Sequence, residues 1–370
     1  MIFKSDRTGK KNYFRKFMYG AVFFAASFLL LLLARQNREW SEWYATHVYR
    51  DIVDVIGRVS GCFPFSVVEM LLYLVIVISV VNIARIVAAV VRKKDWKDRT
   101  KEVFTHVWVF ASVLSLLYTL NCGINYQRKT FSELEGLEMS SYSVEELKMV
   151  CQILTDDVNT YTDVINRNEQ GVMILDGHEK EQASEAMEKL GEIYPEFAGE
   201  YPLPKPLAGS WILSVQNLTG VYSPFTVEAN YNNDMTDYNK PFTMCHELSH
   251  LRGFMEEKEA NFIGYLACME SDEAAFRYSG SLLGWIYCTN VLYKVDYDAY
   301  QEVRGELSEK ALNDLIANSR FWASYDGTVA RVSESINDGY LKANGQEEGV
   351  EGYDRMVDLM VAYLLREADE

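Results

Sequence analysis

The sequence predicts a mainly α protein. Three N-terminal transmembrane helices are followed by an extracytoplasmic, mostly helical domain with a small β-sheet. Three observations point to this. Uncharged apolar stretches of membrane length sit at the start of the chain, basic residues cluster on one side of them, and the rest of the sequence keeps a helical period broken by short aromatic and β-branched runs. The chain has 370 residues, and we divide it into a membrane domain, 1–123, and an outer domain, 124–370.

Phe17 to Ala34 carries no charge and has the length a helix needs to cross hydrocarbon. It is read as a span and not as a cleaved signal, because no small-residue cleavage site follows it. A second apolar region runs from Cys62 to about Val91, and a third from Val103 to Leu120. Lys4, Arg7, Lys10, Lys11, Arg15 and Lys16 precede the first. Arg92, Lys93, Lys94, Lys97, Arg99 and Lys101 separate the second from the third. Positive segments stay in the cytoplasm. The N-terminus is therefore expected in the cytoplasm and everything after the third span outside.

Between the first two spans, Tyr44, Val48, Ile52 and Ile56 recur every four residues. This spacing predicts an amphipathic helix lying along the outer interface, with His47 as polar surface. Glu69, just inside the second apolar region, is expected to snorkel to the headgroups, and His106 mirrors it at the inner boundary.

In the outer domain, Ser143 with Glu145 and Glu146 reads as the start of a helix, and a second helix is expected over "EQASEAMEKLGEIYPEF". "YPLPKPLAG" breaks regularity. "SWILSVQ" and "GVYSPFTVEANYN" read as short strands. From Lys240 nearly everything is helix-patterned, including "VEGYDRMVDLMVAYLLRE".

Charge separates the halves. Residues 1–123 hold 17 Lys/Arg and 9 Asp/Glu, a net of +8, and the remainder holds 19 and 44, a net of −25. An outer domain this acidic excludes nucleic acid as a charge-driven partner. The six cysteines form no Cys-x-x-Cys pair, which argues against a thiolate metal site, and they are expected to be small buried apolar residues.

"PFTMCHELSHLRGFMEEKEANFIGYLACMES" contains His246-Glu247-Leu248-Ser249-His250. Residues four apart share a helix face, so both imidazoles can reach one Zn²⁺, and Glu247 falls where it can act as general base on a metal-polarised water. Asn239 and Pro241 provide a helix start, and Gly253, tolerant of positive φ, provides its end. A hydrolytic site needs a third protein ligand. No histidine follows His250, so the ligand is expected to be a carboxylate, with Glu256, Glu257 and Glu259 competing. Glu257 shares a stripe with Ala260, Asn261 and Gly264, small enough for close helix approach, and is favoured. Glu259, on a bulky apolar stripe with Phe262, Ile263 and Leu266, stays open as the alternative.

The segment around His246, together with "PFSVVE", "GVYSPFTVEANYN" and "YLKANGQEEGV", resembles a bacterial membrane family known as a domain of unknown function, whose members are similar to zincins. The resemblance covers nearly the whole chain and implies a zincin-like, specifically gluzincin-like, outer domain. Glu257-Lys258-Glu259-Ala260-Asn261 is similar to the gluzincin Glu-x-x-Ala-Asp arrangement, which implies Glu257 as a ligand and Asn261 as support for a ligand histidine. Lys258 departs from the acidic residue expected between the two glutamates. The resemblance also implies that the strand before the motif lines a cleft and pairs with an extended peptide, where Glu228 and Asn230 could contact substrate. Tyr222, Tyr231 and Tyr325 are the unranked candidates for an oxyanion donor.

The leading expectation is a membrane-anchored zinc metallopeptidase acting on a peptide or protein, with the bilayer as its other partner. Two others stand beside it: a non-catalytic membrane sensor or scaffold with a structural or vestigial metal site, and a zinc hydrolase of a cell-wall or lipid amide.

Overall fold

A computed structural model describes residues 5–137, 141–346 and 355–369. Lys4, counted above among the basic residues, and parts of two quoted segments, residues 347–350 and 350–354, lie outside the described residues. The chain is mostly helical with one small mixed sheet, and it divides into two compact units. The first holds the chain up to Tyr49, Val67–Arg128 and Pro224–Thr226. The second holds Arg50–Ser66, Lys129–Ser223 and Val227 onward.

The first unit is built from α1 (Ser5–Gln36), α2 (Arg38–Trp43) with a π-helical turn over Tyr44–Tyr49, and, beyond α3 (Arg50–Gly61) of the second unit, α4 (Val67–Val91) and α5 (Trp96–Tyr118). Three stretches, Tyr13–Gln36, Val67–Val91 and Trp96–Gln127, are long and apolar enough to cross a membrane. Their side chains are largely exposed, Leu72 by 53% and Val80 by 61%, an apolar surface that hydrocarbon stabilises and water does not. α1 packs on α5. Gly20 makes this possible: an added Cβ would meet the Trp108 indole at 2.2 Å, so the Nε1 edge of the ring comes up against the glycine and donates from Nε1 to Phe17 O at 3.1 Å. His106 pairs with Lys16 at 3.0 Å. Glu69 lies in the first turn of α4. It is 7% exposed and accepts from Tyr73 Oη at 2.6 Å, one helical turn on, because an i,i+4 phenol satisfies the carboxylate locally.

The second unit continues with α6 (Phe131–Leu134), α7 (Val144–Thr162), α8 (Glu179–Ile193), β1 (Lys205–Pro206), α9 (Ser210–Val215), β2 (Gly220–Ser223) and β3 (Glu228–Tyr231). Then come α10 (Asn239–Leu251), α11 (Glu257–Glu270), α12 (Ala274–Val295), α13 (Tyr297–Glu306), α14 (Glu309–Ala323), α15 (Thr328–Ala343) and α16 (Met356–Asp369). Ser143 forms a full capping box with Glu146 on α7. α8 ends earlier than its period suggests. Pro195 holds Tyr194 in extended backbone, and the chain goes on as a single 3₁₀ turn, Pro195–Phe197.

"SWILSVQ" is not a strand. Ser210–Val215 is a short helix, α9, in which Ser210 Oγ donates to Leu207 O at 2.6 Å and Leu213 and Ser214 point inward while Trp211 stays 58% exposed. Tertiary packing outweighs the β propensity of so short a run. "GVYSPFTVEANYN" does form strands, β2 and β3, paired antiparallel. β1, inside the stretch read as irregular, adds a parallel partner, giving the order β1-β3-β2.

α10 lies at the centre. It packs against β2, β3, α8, α11 and α12, and nearly every residue along it is buried, the pattern of a helix enclosed on all sides. Its start is held from outside. Asn239 Nδ2 donates to Asn318 Oδ1 at 2.8 Å, and Ser279 Oγ on α12 accepts from the otherwise orphaned Phe242 N at 3.1 Å.

Candidate metal centre

His246 and His250 lie one turn apart on α10, and their Nε2 atoms are 3.1 Å apart. The turn after the helix decides the orientation of the second ring. Gly253 takes φ +90°, open at little cost only to glycine. Gly253 N bonds to His250 O, Phe254 N bonds to Ser249 O, and the chain doubles back. That reversal brings Phe254 O within 2.7 Å of His250 Nδ1. The carbonyl can only accept, so Nδ1 carries the proton and Nε2 keeps its lone pair for the site.

Glu257 is the first residue of α11. Its Oε2 is 3.4 Å from His246 Nε2 and its Oε1 is 3.8 Å from His250 Nε2. One donor atom from each of these three residues falls within a 4.8 Å circle. Gly264 permits the approach: a Cβ there would stand 3.2 Å from His246 N and 3.4 Å from Phe242 O, so the α11 backbone rests directly on α10. Tetrahedral ligands bound at ~2.0–2.2 Å are separated from one another by about 3.3–3.6 Å. The imidazole pair at 3.1 Å, with one Glu257 oxygen 3.4 Å from His246 and the other 3.8 Å from His250, fits such a cation after small adjustments of the side chains.

Glu247 is 4% exposed, and its Oε2 is buried with no hydrogen-bond partner among the described residues. Burial pushes its carboxyl up to about 8. Its Oε1 lies over Gly220 of β2, where an added Cβ would come within 2.4 Å. Tyr222 shares that face of the strand, and its ring centroid lies 6.3 Å from that of His250. Burial of His250, reinforced by neighbouring His246, lowers its imidazole to about 4. For His246 burial works against the charged form, but the hydrogen bond and charge of Glu257, with Glu247 and Asn261 adding to them, turn the balance upward.

The other residues singled out from the sequence lie as follows. Asn261 stands against His246. Glu259, one of the candidate ligands, faces away from the imidazoles. It is 1% exposed and accepts from Ser132 N at 3.0 Å and Ser132 Oγ at 2.8 Å, tying α11 to the start of α6. Glu256 is the residue before α11 and pairs with Lys258 at 3.2 Å. Glu228 is buried in an ion pair with Lys205 at 2.5 Å, and Lys205 also donates to Ser60 O at 2.6 Å. Asn230 donates to Val221 O and Glu228 O within the sheet. Of the three tyrosines, Tyr231 is buried in the sheet, Tyr325 packs on Phe321, and Tyr222 alone has a ring contact with a histidine of the cluster. Sequence reasoning missed Gly220. Its only signal is a glycine opening a β-rich run, a mark of close approach by another group.

Fold and site together define a chain with, among its described residues, three helices of membrane-spanning character and a helical unit holding a largely buried two-histidine, two-glutamate constellation. Residues 44–361 match the family described as Protein of unknown function (DUF3810), and the chain belongs to that family. No curated protein and no solved structure matches it.

Proposed function

We propose that the protein is a membrane-anchored, zinc-dependent metallopeptidase whose second unit lies outside the cell membrane. The convergence of His246, His250 and Glu257 donor atoms within 4.8 Å carries this reading. Zn²⁺ bound there would bring the pKa of a water toward neutrality and polarise a carbonyl. The rest belongs to the chain. Phe254 O fixes the His250 tautomer, and Glu257 brings negative charge to the pair of imidazoles. Burial raises Glu247 to about 8, and a divalent charge beside it would favour the carboxylate form. Glu247 then takes the proton of the attacking water and passes it to the leaving amine as the peptide C–N bond breaks. β2, the outer strand of the sheet next to α10, offers its edge to an extended polypeptide. Tyr222 on that strand is the donor assigned to the developing oxyanion.

The basic residues before the first span and between the second and third support a cytoplasmic N-terminus. The test is Glu247→Gln. It should keep one bound zinc per chain and lose hydrolysis by ~10²–10⁴-fold, with the corresponding products missing when surface peptides of variant and wild-type cells are compared. Unchanged turnover would refute the assigned base. Failure of the wild type to bind zinc at all would refute the centre.

A further inference from the structure

α3 presents two faces that burial separates cleanly. Val53, Gly57 and Ser60 point inward: Gly57 and Gly61 lie against Pro202, Ser60 O accepts from Lys205, and Arg50 donates to Ala198 O at 2.7 Å. On the other side Val55 is 65% exposed and Val59 62%. Cys62, also exposed, continues their line, and Ile52 and Ile56 flank it half-buried. Phe63 and Phe65 follow at once, 43% and 44% exposed with ring centroids 5.6 Å apart. The four-residue spacing of Ile52 and Ile56 therefore marks only the flank of the apolar stripe, whose exposed centre is Val55 and Val59.

What covers this face is set by the chain itself. Two residues after Phe65 begins Val67–Val91, an apolar helix of membrane length. Val59 lies eight residues before that start, so even a fully extended chain keeps it within ~28 Å. Asp51 and Arg58 border the stripe on its polar side, and Arg58 pairs with Glu200 at 3.6 Å.

We infer that the Val55–Val59–Cys62 stripe of α3, with Phe63 and Phe65, lies in the headgroup region of a phospholipid bilayer. The helix would rest flat, its apolar side ~5–10 Å into the boundary. Its inner side braces the sheet through Ser60 O, Lys205 and Glu228, the last being the first residue of β3, which pairs with β2. The docking is independent of any chemistry at the two histidines.

Nitroxide scanning tests this on the full chain in phosphatidylcholine–phosphatidylglycerol liposomes. With Cys62 replaced by serine, the five remaining cysteines are buried, and single cysteines are placed at Arg50, Val55 and Val59. Collision with oxygen should exceed collision with a water-soluble nickel chelate several-fold more at 55 and 59 than at 50. Equal, nickel-accessible behaviour at all three positions would overturn the proposal. So would low access to both reagents at 55 and 59, the mark of a protein partner on that face.

Discussion

Replacing Gly220 by alanine probes the position of the candidate base without touching a candidate ligand. The new methyl would stand 2.4 Å from Glu247 Oε1 and 2.8 Å from Thr243 Cγ2, against a comfortable separation of roughly 3.5 Å. Glu247 must give way by about 1 Å, because Thr243 is β-branched and stiff. A displacement of ~1 Å in a reacting group costs ~10²-fold in rate, or about 2.7 kcal/mol of transition-state stabilisation. The three atoms nearest the methyl belong to Glu247 and Thr243 and not to a candidate ligand, so zinc should bind as tightly as to the wild type. The assay pairs calorimetric zinc titration with turnover of an internally quenched peptide library. Wild-type turnover in Gly220→Ala would show that Glu247 need not sit where it does. A parallel loss of zinc would show that the sheet supports the ligands and not the base.

Glu257→Gln should weaken zinc binding by more than the ~10–100-fold typical of a ligand's supporting residue, while Glu259→Gln leaves the zinc Kd near wild type and lowers Tm; competition with a fluorescent chelator and thermal melts measure both. Gly253→Val places a β-branched residue at φ +90° and moves the carbonyl that orients His250. Stability should fall by about 1–2 kcal/mol or more and zinc affinity with it, read by urea melts with and without metal. Glu228→Gln leaves the Lys205 ammonium buried without its counter-charge, at a cost of ~3–5 kcal/mol, visible as a shifted urea midpoint. Burial, assisted by Asp156, raises Asp157 to about 6. Between the ordinary aspartate value and pH 6 the folded state binds the extra proton, so stability declines as pH rises through that window. Asp157→Asn should therefore gain stability over wild type above pH 6 and little below pH 4, by melts across pH.

Much of this protein follows from local periodicity and covalent geometry. Apolar runs of membrane length, the Ser143 cap, the glycine after His250 and the one-turn spacing of His246 and His250 are properties of neighbouring residues, and local sequence determines them. Other features depend on partners far along the chain. Glu257 and Glu259 share the first turn of α11, and the small-residue stripe of Ala260, Asn261 and Gly264 favours Glu257 without fixing which carboxylate turns toward α10. That choice comes from Gly264 seating α11 on α10 and from Ser132, 127 residues from Glu259, taking up the other carboxylate. The helix over Ser210–Val215, the contact of Gly220 with Glu247 and the meeting of Tyr222 with His250 are likewise products of packing. A side chain's neighbours across space carry free energies as large as its own conformational preference, and only the folded chain specifies who those neighbours are.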